Sequence, residues 1–271
     1  MIWICETCAV ETADLETPPE ICAICDDERQ WVPEGGSRWT SVEKQRENGT
    51  RIVISEVEPE LWGLRAEPSI GIGQQTMVVR TPEGTILFDC VGYIDDAAVE
   101  FVRGLGPTLA IAASHPHMYG VQTEWAAALD VPVLVAERDR EWVRRPERVE
   151  FYDDRRDVAT GVTLHRVGGH FRGQAVLEWA TGNDGKGVLL AGDAIFTNPD
   201  RKTVSFMRSY PNRLPLSGNV VQRLAAQVEE LHFDRLYNNF GAVVPQDAQA
   251  IIRYSADRHT AWVRGDHDDL T

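Results

Sequence analysis

Leu109-Ala110-Ile111-Ala112-Ala113-Ser114-His115-Pro116-His117 opens with five apolar residues and closes on two histidines held one residue apart by a proline. The apolar run has the length and composition of a buried strand, and the histidines fall just past its C-terminal end. Two further stretches repeat the arrangement. Val162 to Val167 reads as a strand that ends at Gly168-Gly169-His170, and Gly187 to Ala191 reads as one that ends at Gly192-Asp193. Loops at the ends of strands converge on a ligand while the strands hold them in place. Three imidazoles and a carboxylate brought together at such an edge form a ligand set for a divalent ion. Three histidines with an open position make a catalytic zinc pattern, able to lower the pKa of a bound water to ~7.

Around these stretches, strands come first and strands alternating with helices follow. Arg51 to Val57 alternates in the manner of a strand, and Thr76 to Arg80 and Thr85 to Asp89 flank the turn signal Pro82-Glu83-Gly84. Helical spacing is found in Asp95 to Arg103, Val121 to Leu129, Gly218 to Leu231 and Pro245 to Val263. Val133 to Ala136, Ala175 to Ala180 and Arg235 to Asn238 read as strands, and Asn198 to Ser217 as a long Pro-containing loop. The class is α/β.

The first 40 residues differ from the rest. Cys5-x2-Cys8 and Cys22-x2-Cys25 are two hooks, each able to aim two thiolates at one tetrahedral ion at ~2.3 Å, and Pro33-Glu34-Gly35-Gly36-Ser37 reads as a linker. The expected organisation is a metal module at 1–40 and a catalytic-type domain at 41–271. The chain has 271 residues, five cysteines and a formal net charge of -15. Such a charge repels nucleic acid on average, although Arg138 to Arg148 and Arg155-Arg156 are candidates for a local basic patch. No apolar run approaches the ~18 residues of a membrane span, and Met1 to Cys5 lacks the basic and long apolar regions of a secretory signal. Five cysteines in a chain this long do not make a disulfide framework. The expectation is a cytoplasmic protein acting on a small molecule, without nucleic-acid or membrane partners, with homo-oligomer formation left open.

Trp3-x-Cys5-x2-Cys8, Cys22-Ala23-Ile24-Cys25, the trailing Asp27-Glu28-Arg29-Gln30-Trp31 and Trp39-Thr40 together resemble a rubredoxin-like or rubrerythrin-type zinc ribbon. Ala9 and Ala23 stand where rubredoxins usually have Gly and Pro. The resemblance implies structural zinc on Cys5, Cys8, Cys22 and Cys25, with iron the alternative for four thiolates.

Residues 50–265 resemble the metallo-β-lactamase fold superfamily. Ile86-Leu87-Phe88-Asp89-Cys90-Val91-Gly92 is similar to its early strand with Asp and Gly. Ser114-His115-Pro116-His117-Met118-Tyr119-Gly120 falls where the family has H-x-H-x-D-H. Gly168-Gly169-His170-Phe171-Arg172-Gly173-Gln174 resembles P-G-H-T-x-G-S, and Leu189-Leu190-Ala191-Gly192-Asp193-Ala194-Ile195-Phe196 resembles L-x-x-G-D-x-x-F. The resemblance implies a four-layer αβ/βα sandwich with its site along one edge of two sheets. Tyr119 and Gly120 stand in the places of two second-site ligands, and Asn238-Asn239-Phe240-Gly241 supplies no late histidine. His259 and His267 come too late for that role, and His165 and His232 read as structural.

The implied function is a metal-dependent hydrolase with one zinc or iron on His115, His117, His170 and Asp193, acting on an ester, lactone, thioester or amide. Asp193 ligates the ion or accepts a proton from water, and Tyr119 either donates to the developing oxyanion or fills the vacated second site as a packing aromatic. Arg208 and Tyr210 cap the site and grip a substrate anion, or belong to a surface loop packed by its own aromatics. A non-catalytic descendant of the fold, or a mononuclear iron enzyme, is the alternative to the hydrolase.

Overall fold

The computed structural model describes Met1–Thr271. A three-stranded N-terminal sheet comprises β1 (Ile2–Cys5), β2 (Glu11–Asp14) and β3 (Trp39–Thr40), with β1 in the middle. A short helix α1 (Val42–Glu47) leads into the first large sheet. Its strands are β4 (Arg51–Glu58), β5 (Leu61–Glu67), β6 (Thr76–Thr81), β7 (Gly84–Phe88), β8 (Thr108–Ala112), β9 (Val133–Ala136) and β10 (Val149–Tyr152). They lie side by side in chain order, antiparallel from β4 to β7 and parallel from β7 to β10. The parallel part needs crossovers, which α2 (Asp96–Gly104) and α3 (Gln122–Leu129) provide. Asp95 caps α2 by accepting from the Ala98 amide at 2.8 Å.

The second sheet contains β11 (Arg155–Ala159), β12 (Val162–Arg166), β13 (Ala175–Trp179) and β14 (Val188–Leu190). Two small ribbons follow, β15 (Phe196–Thr197) with β16 (Val204–Ser205), and β17 (Met207–Ser209) with β18 (Leu214–Pro215). The chain then forms α4 (Gly218–Glu229), returns to the sheet as β19 (Arg235–Tyr237) and β20 (Val243–Val244), and ends in α5 (Ala248–Arg264). No helix is long and apolar enough to cross a membrane.

Alternation along the strands builds three apolar layers. Met77, Val79, Ile86 and Phe88 face inward and meet Val162, Leu164, Leu177 and Leu190 of the second sheet. Val78, Leu87, Ile111 and Val133 face outward, under α2 and α3. Val176, Leu189 and Leu236 face the other way, under Leu224, Val228 and Ile252 of α4 and α5. The result is a helix–sheet–sheet–helix sandwich, as expected. Strands buried on both faces read as continuous apolar runs, which is why Leu109 to Ala113 was legible. The loop expected over Asn198 to Ser217 instead contains β16, β17 and β18, with β15 just before it.

The cysteine module shares a core with the first sheet. Cys5, Cys8, Cys22, Cys25, Ile4 and Val10 belong to the same apolar cluster as Leu64, Val91 and Trp125. Glu11 continues the junction. Its amide donates to the Gly120 carbonyl at 3.0 Å, and its carboxylate accepts from the Thr123 amide and from Arg145. Five of the seven arginines of the candidate basic patch are likewise engaged, Arg138 and Arg144 being the exceptions. Arg140 pairs with Glu137, Arg145 with Glu11 and Glu124, Arg148 with Asp130, Arg155 with Asp157, and Arg156 with Glu150.

Ala9 occupies the left-handed region at φ 63°, where rubredoxins use glycine. Its methyl group lies in a notch with no side chains, because a Cβ at Gly92 would fall 2.3 Å from the Ala9 Cβ and one at Gly71 would fall 2.4 Å from it. Gly92→Ala is therefore expected to lower stability by roughly 1–3 kcal/mol, the range for overpacking a filled core. Urea unfolding checks this, and an unchanged midpoint would show that the junction is loose.

Candidate metal centre

His115 and His117 flank Pro116 in a single 3-10 turn directly after β8, His170 follows β12, and Asp193 follows β14. All four are buried, and their ligand atoms lie within 4.8 Å of one another. His170 Nε2 is 3.2 Å from His117 Nδ1, while Asp193 Oδ2 is 3.5 Å from His115 Nε2 and 3.9 Å from His170 Nε2. Ligands bound at ~2.0–2.1 Å in a tetrahedron are separated by ~3.4 Å, so the cage has the dimensions of a zinc-type site.

Hydrogen bonds on the far sides of the rings decide which nitrogens are bare. His170 Nδ1 is 3.1 Å from the Met207 carbonyl. A carbonyl only accepts, so Nδ1 carries the proton and Nε2 faces the centre as a lone pair. Ser114 Oγ donates to Asp89 Oδ2 at 2.8 Å, leaving its own lone pair for His115 Nδ1 at 2.9 Å. His115 Nε2 is thereby aimed at the centre, and it has no hydrogen-bond partner. Asp89 also accepts from the Ser114 amide at 2.6 Å, and its burial pushes its carboxyl up to about 7.

Burial also pushes His117 well below the usual histidine range and His170 down to about 3, with the neighbouring imidazoles adding to the effect. Burial opposes ionisation of Asp193, but the neighbouring His115 and His170 rings outweigh it and hold the carboxylate below its usual range. Neutral imidazoles beside an ionised carboxylate are the protonation states a metal requires. A cation supplies what the unpartnered His115 Nε2 and Asp193 Oδ1 lack.

The four cysteines pass the same test. Cys5 Sγ is 3.8 Å from Cys25 Sγ, and Cys8 Sγ is 3.7 Å from Cys22 Sγ. Those separations are far too long for a disulfide and match the ~3.8 Å edge of a tetrahedron with ~2.3 Å bonds. Hydrogen bonds among the sulfurs pull the Cys5 thiol down and push the Cys8 thiol up, so four thiolates require a shared cation.

A cavity of about 400 Å³ opens on His117, His170 and Asp193. Three of its lining residues, Arg29, Gln30 and Trp31, come from the stretch that follows Cys25. Arg29 lies flat on Phe171, 3.6 Å from the ring centre, and donates to the His170 carbonyl across 141 residues of sequence. Arg208 donates to the same carbonyl at 3.2 Å. The Arg29, Glu28 and Gln30 carbonyls are held by Ser209 Oγ and Asn212 Nδ2 at 3.0–3.2 Å. These contacts were missed from sequence, since nothing in Arg29-Gln30-Trp31 distinguishes a site wall from the end of a ribbon.

Arg208 does not line the cavity, and its guanidinium donates to Glu28 and the His170 carbonyl. Tyr119 does not line the cavity either. It is buried in the core beside the helices, with its hydroxyl unpartnered, and burial pushes that phenol well above its ordinary range. Tyr210 does line the cavity, with its hydroxyl donating to the Asp193 carbonyl at 3.1 Å. Gly120 has φ +52°, and a Cβ there would fall 2.2 Å from the Cys90 carbonyl oxygen. A histidine at that position is therefore excluded by backbone as well as by sequence. Asn238 and Asn239, in the place of the late histidine, are buried, and Asn239 donates to the Gln75 carbonyl at 3.1 Å. His165, His232 and His259 bond to Glu178, the Gly185 carbonyl and the Leu216 carbonyl.

The comparisons place this architecture. The DIM-1 metallo-β-lactamase superposes with a TM-score of 0.57 at 12% identity, over 77% of this chain and 98% of that one. A metallo-β-lactamase of Cronobacter sakazakii superposes at 0.51 with 17% identity, over 81% and 99%. A Bacillus subtilis (strain 168) protein, YmaE, described as uncharacterized, is 42% identical over 260 residues, 95% of each chain. The chain belongs to the YmaE family and has the metallo-β-lactamase fold. No protein-family model matches it. The solved metallo-β-lactamases match about three quarters of the chain.

Purified protein is expected to hold two metal ions per chain by elemental analysis, one after Cys5→Ser and one after His115→Ala. One ion in the unmodified chain, removed by Cys5→Ser, would contradict the histidine site. The metal-free protein is expected to weaken in acid. Below the ordinary histidine pKa of about 6.5 the unfolded chain takes up a proton at His170, which the folded chain refuses until about pH 3. Stability then falls by about 1.4 kcal/mol per pH unit across that window, measured by urea unfolding, and His170→Gln reduces the slope.

Proposed function

We propose that the protein is a metal-dependent hydrolase whose centre holds one ion and acts on the carbonyl of an ester, lactone, thioester or amide. The observation that carries the reading is the convergence of His115, His117, His170 and Asp193 at the floor of an open cavity. Ligand cages that only stabilise a fold are closed, whereas this one has an approach from solvent. The single ion is supported by the blocked Gly120 position and by there being no third cluster of metal-binding side chains.

A divalent metal bound at this site supplies Lewis acidity and makes water more acidic. The protein's own groups do the rest. His115 and His170 keep their protons on Nδ1, held by Ser114 and Met207, so neither competes for a proton at the centre. Asp193, held ionised, accepts the proton of an attacking water through Oδ1, which has no internal partner. Tyr210 fixes the Asp193 backbone and closes one side of the cavity.

With a panel of thioester, lactone and aryl ester substrates, Asp193→Asn is expected to lower kcat by about 100-fold or more, the range for loss of a general base. His115→Ala is expected to abolish turnover and to lose one metal ion. Equal turnover in both variants would refute the assignment, and cleavage of a phosphodiester in preference to every carbonyl substrate would refute the single-ion chemistry. If no carbonyl substrate is cleaved by the fully metallated protein, the non-catalytic alternative takes its place.

A further inference from the structure

The charge inventory of the cavity is unusual for a site expected to grip an anion. Among the cavity's lining residues Arg29 is the only one with a permanent positive charge, and that guanidinium is paired with a carboxylate. Its Nε and Nη2 donate to Asp27, its Nη1 donates to the His170 carbonyl, and its flat face covers Phe171. Arg29 is only 6% exposed. Arg208, the nearest other arginine named at the site, is bound to Glu28. Each guanidinium beside the centre is thus neutralised by a carboxylate from the segment that follows Cys25, within a chain whose net charge is -15.

The remaining wall is apolar and aromatic. Trp31, Ile72, Phe196, Tyr210, Pro211 and Phe240 line the cavity, with Phe196 in contact with both Tyr210 and Phe240 at ring-centre distances of 4.7 and 5.7 Å. Trp31 is 44% exposed, so much of this lining aromatic is open to solvent. Gln30 is only 6% exposed, and its buried Oε1 has no partner. An unpartnered amide in such a wall costs free energy unless a ligand completes it.

From these observations we infer that the cavity takes an uncharged substrate with an aromatic or similarly flat apolar group, packed between Trp31 and the Phe196–Phe240 wall, with Gln30 hydrogen-bonding a neutral polar group of that substrate. Apart from the ion proposed for the centre, whose charge Asp193 partly offsets, the walls offer a substrate anion no unpaired cation to replace its hydration. The inference rests on the proposed hydrolase reading for where the reacting carbonyl lies, but not for what the walls bind. It makes Trp31 and Gln30, contributed by the cysteine ribbon, specificity-determining residues of a site whose metal ligands all lie in the sandwich.

The test uses the full-length, metal-loaded protein and two uncleavable probes of matched shape, acetophenone and para-acetylbenzenesulfonate, with saturation-transfer NMR as the binding readout. Acetophenone is expected to bind at least about tenfold more tightly than the sulfonate. Trp31→Ala should weaken acetophenone about fivefold or more and Trp31→Phe should largely restore it, whereas Gln30→Ala should leave acetophenone, which has no donor for Oε1, unchanged and weaken 4′-hydroxyacetophenone. Circular dichroism confirms that each variant is folded. Equal or tighter binding of the sulfonate, an unchanged affinity in Trp31→Ala, or no binding of either probe would overturn the inference. Phenyl acetate and its para-sulfonated analogue then separate this inference from the hydrolase reading. Acetophenone binding without cleavage of either ester leaves the substrate class standing and removes the hydrolase. Cleavage that favours the sulfonated ester does the reverse. With cleavage of the neutral ester, Trp31→Ala is expected to raise KM more than it lowers kcat.

Discussion

Four metal-binding side chains are buried here with their donor atoms facing one another, and the rest of the site is arranged to keep them apart. A bare nitrogen in a low-dielectric interior is costly, so the orientation of each buried ring has to be held from its far side. The Met207 carbonyl does this at His170, and the Asp89–Ser114 pair does it at His115. The His170 backbone is held as well, since Arg29 and Arg208 both donate to its carbonyl. Strand ends alone fix where each ligand starts. These outer hydrogen bonds fix which nitrogen each ring presents.

That requirement links the two parts of the chain. The arginines that clamp His170 are balanced by Asp27 and Glu28, which directly follow the second cysteine hook. The hook is held by Cys22 and Cys25, and its first partner, at Cys5 and Cys8, is buried against the first sheet. The ribbon therefore does more than stabilise its own fold. It supplies a wall, braces a metal ligand and joins the main apolar core. A boundary near residue 40 marks a change in composition, while the packing runs across it.

The family pattern was legible where one short segment carries the information. His115-Pro116-His117 lies within a turn, and Gly169-His170 and Gly192-Asp193 sit at the ends of apolar strands, so periodicity and spacing were enough to find them. The departures were legible too. Gly120 stands where the resembled family has a ligand, and a side chain there would strike the Cys90 carbonyl. Tyr119 was open from sequence, because an aromatic beside a metal motif can face the site or the core. The pairing of Arg208 was hidden for a related reason. A free arginine and a paired one have the same letter, and Glu28 lies 180 residues away.

The sequence by itself determined the two candidate ligand sets, the alternation that makes a double-sheet sandwich, and the residue types that stand at Tyr119 and Gly120. Those features depend on residue type and near-neighbour spacing. Only the tertiary structure decided that Arg29, Gln30 and Trp31 form a wall of the cavity, that its arginines are neutralised, and that Tyr119 belongs to the core. Each of these depends on which distant segments meet. Long-range packing makes that choice, because burying apolar surface and completing buried polar groups are satisfied together only in the folded chain.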